Sequence, residues 1–130
     1  MLDEEEITTR NLGQLSFADY KELADKGDSN EINYVGYCYE HGIEVEKDES
    51  KAFLHYQKSA DMDNSDGMYQ VGYCYYLGIG VEVDKHQAFS YYLKSAEKEN
   101  SNGIWKTAIC YLYGIGVEEN KGKYDEWIEK

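Results

Sequence analysis

The chain runs to 130 residues, with 26 acidic and 13 basic side chains and a formal charge of −13. A chain of this length builds one continuous core and not two independent ones. The charge argues against a nucleic-acid binder, since neutralising phosphates takes clustered Lys and Arg and the sole arginine is Arg10.

Residues 1–15 begin MLDEEEITTR, acidic where a secretory or mitochondrial leader is basic. No later apolar run approaches the roughly 20 residues of a membrane-spanning helix. The chain is therefore expected to be cytoplasmic, without membrane contact. From residue 16 onward a period takes over. Residues 28–63 and 64–99 align without a gap and share 17 of 36 positions, and residues 100–130 keep 12 of 31 against the second copy. Phe17, Tyr20 and Ala24 share the phase of Phe53, Tyr56 and Ala60, so residues 16–27 read as a partial copy holding the second helix only.

Each full copy predicts two helices. The first lies around Glu31 to Glu40 and gathers Ile32, Val35, Gly36, Cys38 and Tyr39 on one arc, which Met68, Val71, Gly72, Cys74 and Tyr75 repeat. Gly42, Gly78 and Gly114 follow, where a left-handed helix stop favours a residue without a Cβ. A short loop, GIEVEKD and then GIGVEVD, leads to Asp48 and Asp84 as N-caps of the next helix. That second helix buries Ala52, Phe53, Tyr56 and Ala60, and Ala88, Phe89, Tyr92 and Ala96 repeat the stripe. One hairpin cannot cover its own apolar stripes, so the hairpins must stack. Proline is absent and no alternating β-branched run occurs, which speaks against a sheet protein. The expected fold is all-α, an alpha-alpha superhelix forming one domain over 1–130, with copies at 28–63 and 64–99 and a truncated third at 100–130.

The stretches VGYCYEHGIEVEKDESKAFLHYQKSA and VGYCYYLGIGVEVDKHQAFSYYLKSA resemble the Sel-1-like repeat, a relative of the tetratricopeptide repeat with a slightly longer loop. The likeness covers roughly residues 16–130, and the wording GIGVE, KAF and YYxKSA is similar to repeats in fungal proteins where such arrays accompany protein-kinase domains. Members of the family act as adaptors and scaffolds, so the resemblance implies binding without naming the bound molecule. Some positions depart from the pattern. Glu44 stands where the other copies have Gly80 and Gly116. If that position takes a positive φ, the side chain costs about 1 kcal/mol and the first loop is open to rearrangement. Glu31 replaces Gly67 and Gly103, while Ala108, Asn120 and Tyr124 take the places of Gly36, Asp48 and Ala52 in the third copy, as end units tend to diverge.

In the related tetratricopeptide arrays the first helix of each unit lines the concave side. Here the face opposite the buried arc carries Asn33, Tyr37, Glu40 and His41, then Tyr69, Tyr73, Tyr76 and Leu77, then Trp105, Ile109, Leu112 and Tyr113. Tyr and Trp supply large contact area at low entropic cost, and an exposed strip of them marks an interaction surface. The plainer alternative is that these rings pack between copies; Tyr37 and Tyr73 are identical, as a structural position would be. A third is that Trp105, Leu112 and Trp127 cover an exposed end and mediate self-association.

Cys38, Cys74 and Cys110 recur at one phase and read as a small buried position, too far apart to pair. His41, His55 and His86 share no spacing, so no metal site is expected. GIGVE lacks the lysine of a phosphate loop and follows a helix, and no nucleophile elbow or dinucleotide fingerprint occurs. The chain is thus expected to be no enzyme and to need no cofactor. It is read as a scaffold or adaptor gripping a peptide or helix, favoured if basic, through Asn33, Tyr37, Glu40, Tyr69, Tyr73, Tyr76, Trp105, Ile109 and Leu112. The rival is a structural module that stacks end to end or continues a longer array, the chain itself being monomeric or weakly self-associating.

Overall fold

Seven helices and no strand occur among the described residues, 15–130, of a computed structural model. The acidic start, like all but the last residue of the segment 1–15, lies outside the described residues. In chain order the helices are α1 (Phe17–Asp25), α2 (Ser29–His41), α3 (Glu49–Asp61), α4 (Ser65–Leu77), α5 (Lys85–Glu97), α6 (Ser101–Tyr113) and α7 (Lys121–Ile128).

Each helix starts where a short polar side chain accepts from the free N–H groups of its first turn. Ser16 caps α1 within a reciprocal box with Asp19. Asp28, Asp48, Asn64, Asp84, Asn100 and Asn120 cap the other six in order. The first helix of each hairpin stops at Gly42, Gly78 or Gly114, with φ of 67°, 78° and 69°. The next N–H then returns to the helix, Ile43 to the Cys38 carbonyl at 3.0 Å, Ile79 to Cys74 at 3.0 Å and Ile115 to Cys110 at 2.9 Å. Asp48, Asp84 and Asn120 donate their own N–H groups to the carbonyls of Tyr39, Tyr75 and Tyr111, which closes each loop into the next cap.

The helices form two layers. α2 packs on α3, α4 on α5 and α6 on α7; α3 then meets α4, and α5 meets α6. First helices also touch one another, α2 with α4 and α4 with α6, whereas among the described residues no pair of second helices does so to that extent. α2, α4 and α6 therefore form one layer, the inner one, in which successive hairpins approach each other most closely. Inside each hairpin the approach depends on glycine. A Cβ at Gly36 would lie 2.8 Å from the Tyr56 ring, and one at Gly72 equally close to Tyr92.

Three sets of contacts recur from hairpin to hairpin. Phe17, Phe53 and Phe89 stand edge-to-face against Tyr39, Tyr75 and Tyr111 of the following unit, at 5.6, 5.6 and 5.2 Å between centroids. The Ser59 hydroxyl donates to the Ser29 carbonyl and Ser95 to Ser65, each at 2.9 Å. Asn64 and Asn100 reach back to the Ser29 and Ser65 hydroxyls at 2.9 and 3.1 Å.

The first loop does not rearrange around Glu44. Its φ of 58° matches the 70° and 69° of Gly80 and Gly116. Those glycines press so closely on the second helix of the preceding unit, α3 or α5, that a Cβ would overlap the carbonyls of Glu49 and Lys85. At Glu44 the equivalent helix of the preceding unit is α1, and the carboxylate accepts from the Phe17 N–H at 2.9 Å. A charged cap at a helix N-terminus offsets part of the left-handed strain.

Candidate interaction surface

Between α2 and α4 the inner side opens as a groove containing two adjoining cavities. One, of about 250 Å³, is lined by Tyr37, Glu40, His41, Tyr69, Gln70 and Tyr73. The other, of about 300 Å³, is lined by Asn30, Asn33, Tyr34, Tyr37, Asp66 and Gln70. Tyr37 and Gln70 belong to both, so the two form one trough along the helix pair.

Five of the residues expected to bind a partner meet here: Asn33, Tyr37, Glu40, Tyr69 and Tyr73. Tyr37 is exposed and its ring lies parallel to that of Tyr34, 6.0 Å between centroids, with the His41 ring 4.2 Å away on its other flank. Tyr69 is half-buried against the Tyr92 ring at 5.7 Å, and Tyr73 is half-buried and also packs on the core. These two rings therefore serve packing and the groove wall together.

Glu40 departs from its expected place on the open face. It is only 7% exposed, and its Oε1 accepts a 2.6 Å hydrogen bond from the Tyr56 hydroxyl. The cause is tertiary: the Tyr56 hydroxyl stands in the hairpin core, and position 40 is the end of α2 that faces it. Oε2 lies 3.5 Å from His41 Nε2 at the rim.

Tyr76, Trp105, Ile109 and Leu112 line neither of the two cavities. Tyr76 is half-buried beneath Lys85, whose Nζ lies 3.7 Å from the ring centroid, with Lys106 Nζ at 6.0 Å. Trp105 is exposed, as are Leu77 and Tyr113, while Ile109 and Leu112 are half-buried. These side chains continue the inner helices as an apolar margin beyond the groove. Trp127 lies elsewhere, with Ile104 in a cavity at the far end of the stack that Trp105 does not line.

Asn30, Tyr34, Asp66 and Gln70 also belong to the trough and lie outside the residues expected to bind. A signal for two of them was available: positions 34 and 70 share one phase and precede Tyr37 and Tyr73 by three residues, which puts them on the same helix face.

Burial pushes the Tyr69 and Tyr73 hydroxyls up, and the neighbouring Glu40 charge adds to the effect at Tyr73. All three cysteines are free and buried. Burial also raises the thiols, Cys74 to about 12 and Cys110 to about 11, so they stay protonated and inert at neutral pH. Among the described residues no cluster of His, Cys, Asp and Glu is arranged to hold a metal ion. None of the described helices is long and apolar enough to cross a membrane.

The Sel1 repeat pattern matches the sequence three times in tandem, at residues 32–64, 65–100 and 101–123. The chain belongs to the Sel1 repeat family. Its fold is similar to that of a Sel1 repeat protein from Oxalobacter formigenes, with a TM-score of 0.82 and 26% identity over 87% of this chain. It is also similar to c5321, a protective antigen of uropathogenic Escherichia coli strains, with a TM-score of 0.85 and 27% identity over 89% of the chain. A third similar structure is cysteine rich protein B of Helicobacter pylori, at a TM-score of 0.64 and 27% identity over 74% of this chain and 71% of that one. The present chain spans 45% of the Oxalobacter protein and 25% of c5321. No curated protein matches the sequence significantly. Sel1 repeat proteins are in general protein-interaction modules built on a helical scaffold.

Proposed function

We propose that this Sel1 repeat chain is a scaffold that seats a peptide or helix of a partner protein along its inner side, with the α2–α4 trough as the principal seat. The observation that carries this reading is the trough itself, floored by half-buried tyrosines and rimmed by the exposed Tyr37. Rigid aromatic walls give contact area at small entropic cost. The exposed Leu77, Trp105 and Tyr113 extend the same helices as further apolar surface. With a formal charge of −13, the surface draws in a basic partner and repels an acidic one.

Fluorescence polarisation against labelled basic, neutral and acidic peptides tests the reading. Basic peptides bind, and Tyr37→Ala combined with Trp105→Ala weakens them about tenfold or more. Because both side chains are 40% or more exposed, the double variant keeps a melting temperature close to that of the parent. Equal binding by parent and variant, or unfolding of the variant, counts against an interaction surface at these rings.

A second reading, end-to-end assembly, draws support from the far end of the stack. There a cavity of about 620 Å³ is lined in part by Ala96, Ile104 and Trp127. Open array ends with apolar linings favour self-association. Sedimentation velocity over a range of concentrations decides: assembly through this end rises with concentration and is abolished by Trp127→Glu, whereas a monomer at all concentrations removes the reading.

A further inference from the structure

The smaller cavity holds a carboxylate that the fold does not require. In the first hairpin the Tyr56 hydroxyl donates to Glu40. The second hairpin places Tyr92 at the same phase, equally buried, yet its hydroxyl finds no partner, because Tyr76 stands where Glu40 stood. A core tyrosine of this kind therefore stands without an acidic acceptor. Burying a carboxylate is costly unless it is paired, and Glu40 is only 7% exposed, with one oxygen satisfied by a neutral hydroxyl. Its Oε2 faces His41 at 3.5 Å, and among the described residues no lysine or arginine lines the cavity.

The second junction carries the complementary case. There Tyr76 takes the Glu40 place and Lys106 the Gln70 place, and the protein's own Lys85 and Lys106 approach the Tyr76 ring at 3.7 and 6.0 Å. A cation from the chain itself thus meets the aromatic wall at one junction. At the other the wall is joined by a buried carboxylate, with no lysine or arginine among the described residues that line the cavity.

We infer that the cavity formed by Tyr37, Glu40, Tyr69 and Tyr73 is a receptor for one basic side chain of a partner protein, arginine ahead of lysine. The inference rests on the proposed seat in the trough and names what that seat recognises. Tyrosine faces attract a cation, and a desolvated carboxylate supplies a charge-assisted hydrogen bond. The planar, weakly hydrated guanidinium stacks on rings where an ammonium does not. A volume of about 250 Å³ also suits one side chain, since sites for whole small molecules run to about 300–1,000 Å³.

The experiment titrates the full chain with N-acetyl-arginine amide, N-acetyl-lysine amide and the neutral isostere N-acetyl-citrulline amide, following the tyrosine ring resonances by NMR. The arginine probe shifts Tyr37, Tyr69 and Tyr73 saturably, the lysine probe does so more weakly, and citrulline leaves them unmoved. Glu40→Gln keeps an acceptor for Tyr56 but weakens the arginine probe about tenfold or more. Tyr37→Leu, at an exposed position that does not hold up the core, weakens it as well and serves if the Gln variant is poorly folded. Equal response to arginine and citrulline overturns the inference, as does unchanged arginine affinity in either folded variant. A basic peptide that binds the trough with the same affinity in parent and Glu40→Gln overturns it while leaving the scaffold reading intact. Failure of every peptide to bind removes both.

Discussion

Tyr56 and Tyr92 occupy one phase of the repeat and differ by a single hydrogen bond, which makes them a matched pair for measurement. Removing the Tyr56 hydroxyl leaves Glu40 buried without its donor, so Tyr56→Phe costs about 1–3 kcal/mol. Tyr92→Phe removes an unpartnered hydroxyl and is neutral or stabilising. Denaturant titration of the two variants separates these outcomes, and equal losses would contradict the assignment of the bond. Glu31 gives a second handle. Burial pushes its carboxyl up to about 7, helped by its hydrogen bond with Asp28 and then by that residue's charge, while the same bond holds Asp28 low. A carboxyl raised on folding contributes stability below its unfolded value, near 4.5, and loses it as pH climbs toward 7. Asp28 acts in the opposite direction, its share being lost only in strong acid. Melting temperature therefore falls between about pH 4.5 and 7, and Glu31→Gln flattens that fall; parallel curves for parent and variant would refute the coupling.

Helix boundaries were legible because caps and stops are local chemistry. Asp48, Asp84 and the glycines at 42, 78 and 114 sit where a short acceptor or a left-handed residue is needed, whatever packs around them. The ends of α3 and α5 were not legible. Asp63 and Glu99 adopt φ of 67° and 65°, the place Gly27 holds at φ 93° after α1, and nothing in an acidic residue announces that conformation. Glu99→Gly relieves the strain and raises stability by about 0.5–1 kcal/mol, readable as a higher denaturation midpoint. No gain at Glu99 would mean that the strain is already offset. At the loops the reverse substitution is harmful. Gly116→Ala drives a Cβ onto the Lys85 carbonyl in addition to its positive φ, so the loss exceeds about 1 kcal/mol and loosens α6 and α7 together. A thermal melt indistinguishable from the parent would contradict that close approach.

At the level of the whole stack, the 36-residue period was enough to infer paired helices in a row, since neither stripe of a hairpin is covered within it. The inner side was legible only in part. Tyr37 and Trp105 lie exposed as their phase suggests, because helical periodicity separates the buried arc from the opposite face. Glu40 sits at the edge between the two, and its burial is decided by Tyr56 across the hairpin, sixteen residues away. Tyr76 is likewise roofed by Lys85 from the following helix. Such contacts join residues whose facing is invisible to a periodicity within one helix. The most direct test of an inner-side seat is to map amide chemical shifts on the labelled chain as a basic peptide is added. Perturbations concentrated on residues 30–41 and 66–77, with the outer helices α3 and α5 silent, are the predicted result; shifts confined to α3, α5 or the Trp127 end would contradict it.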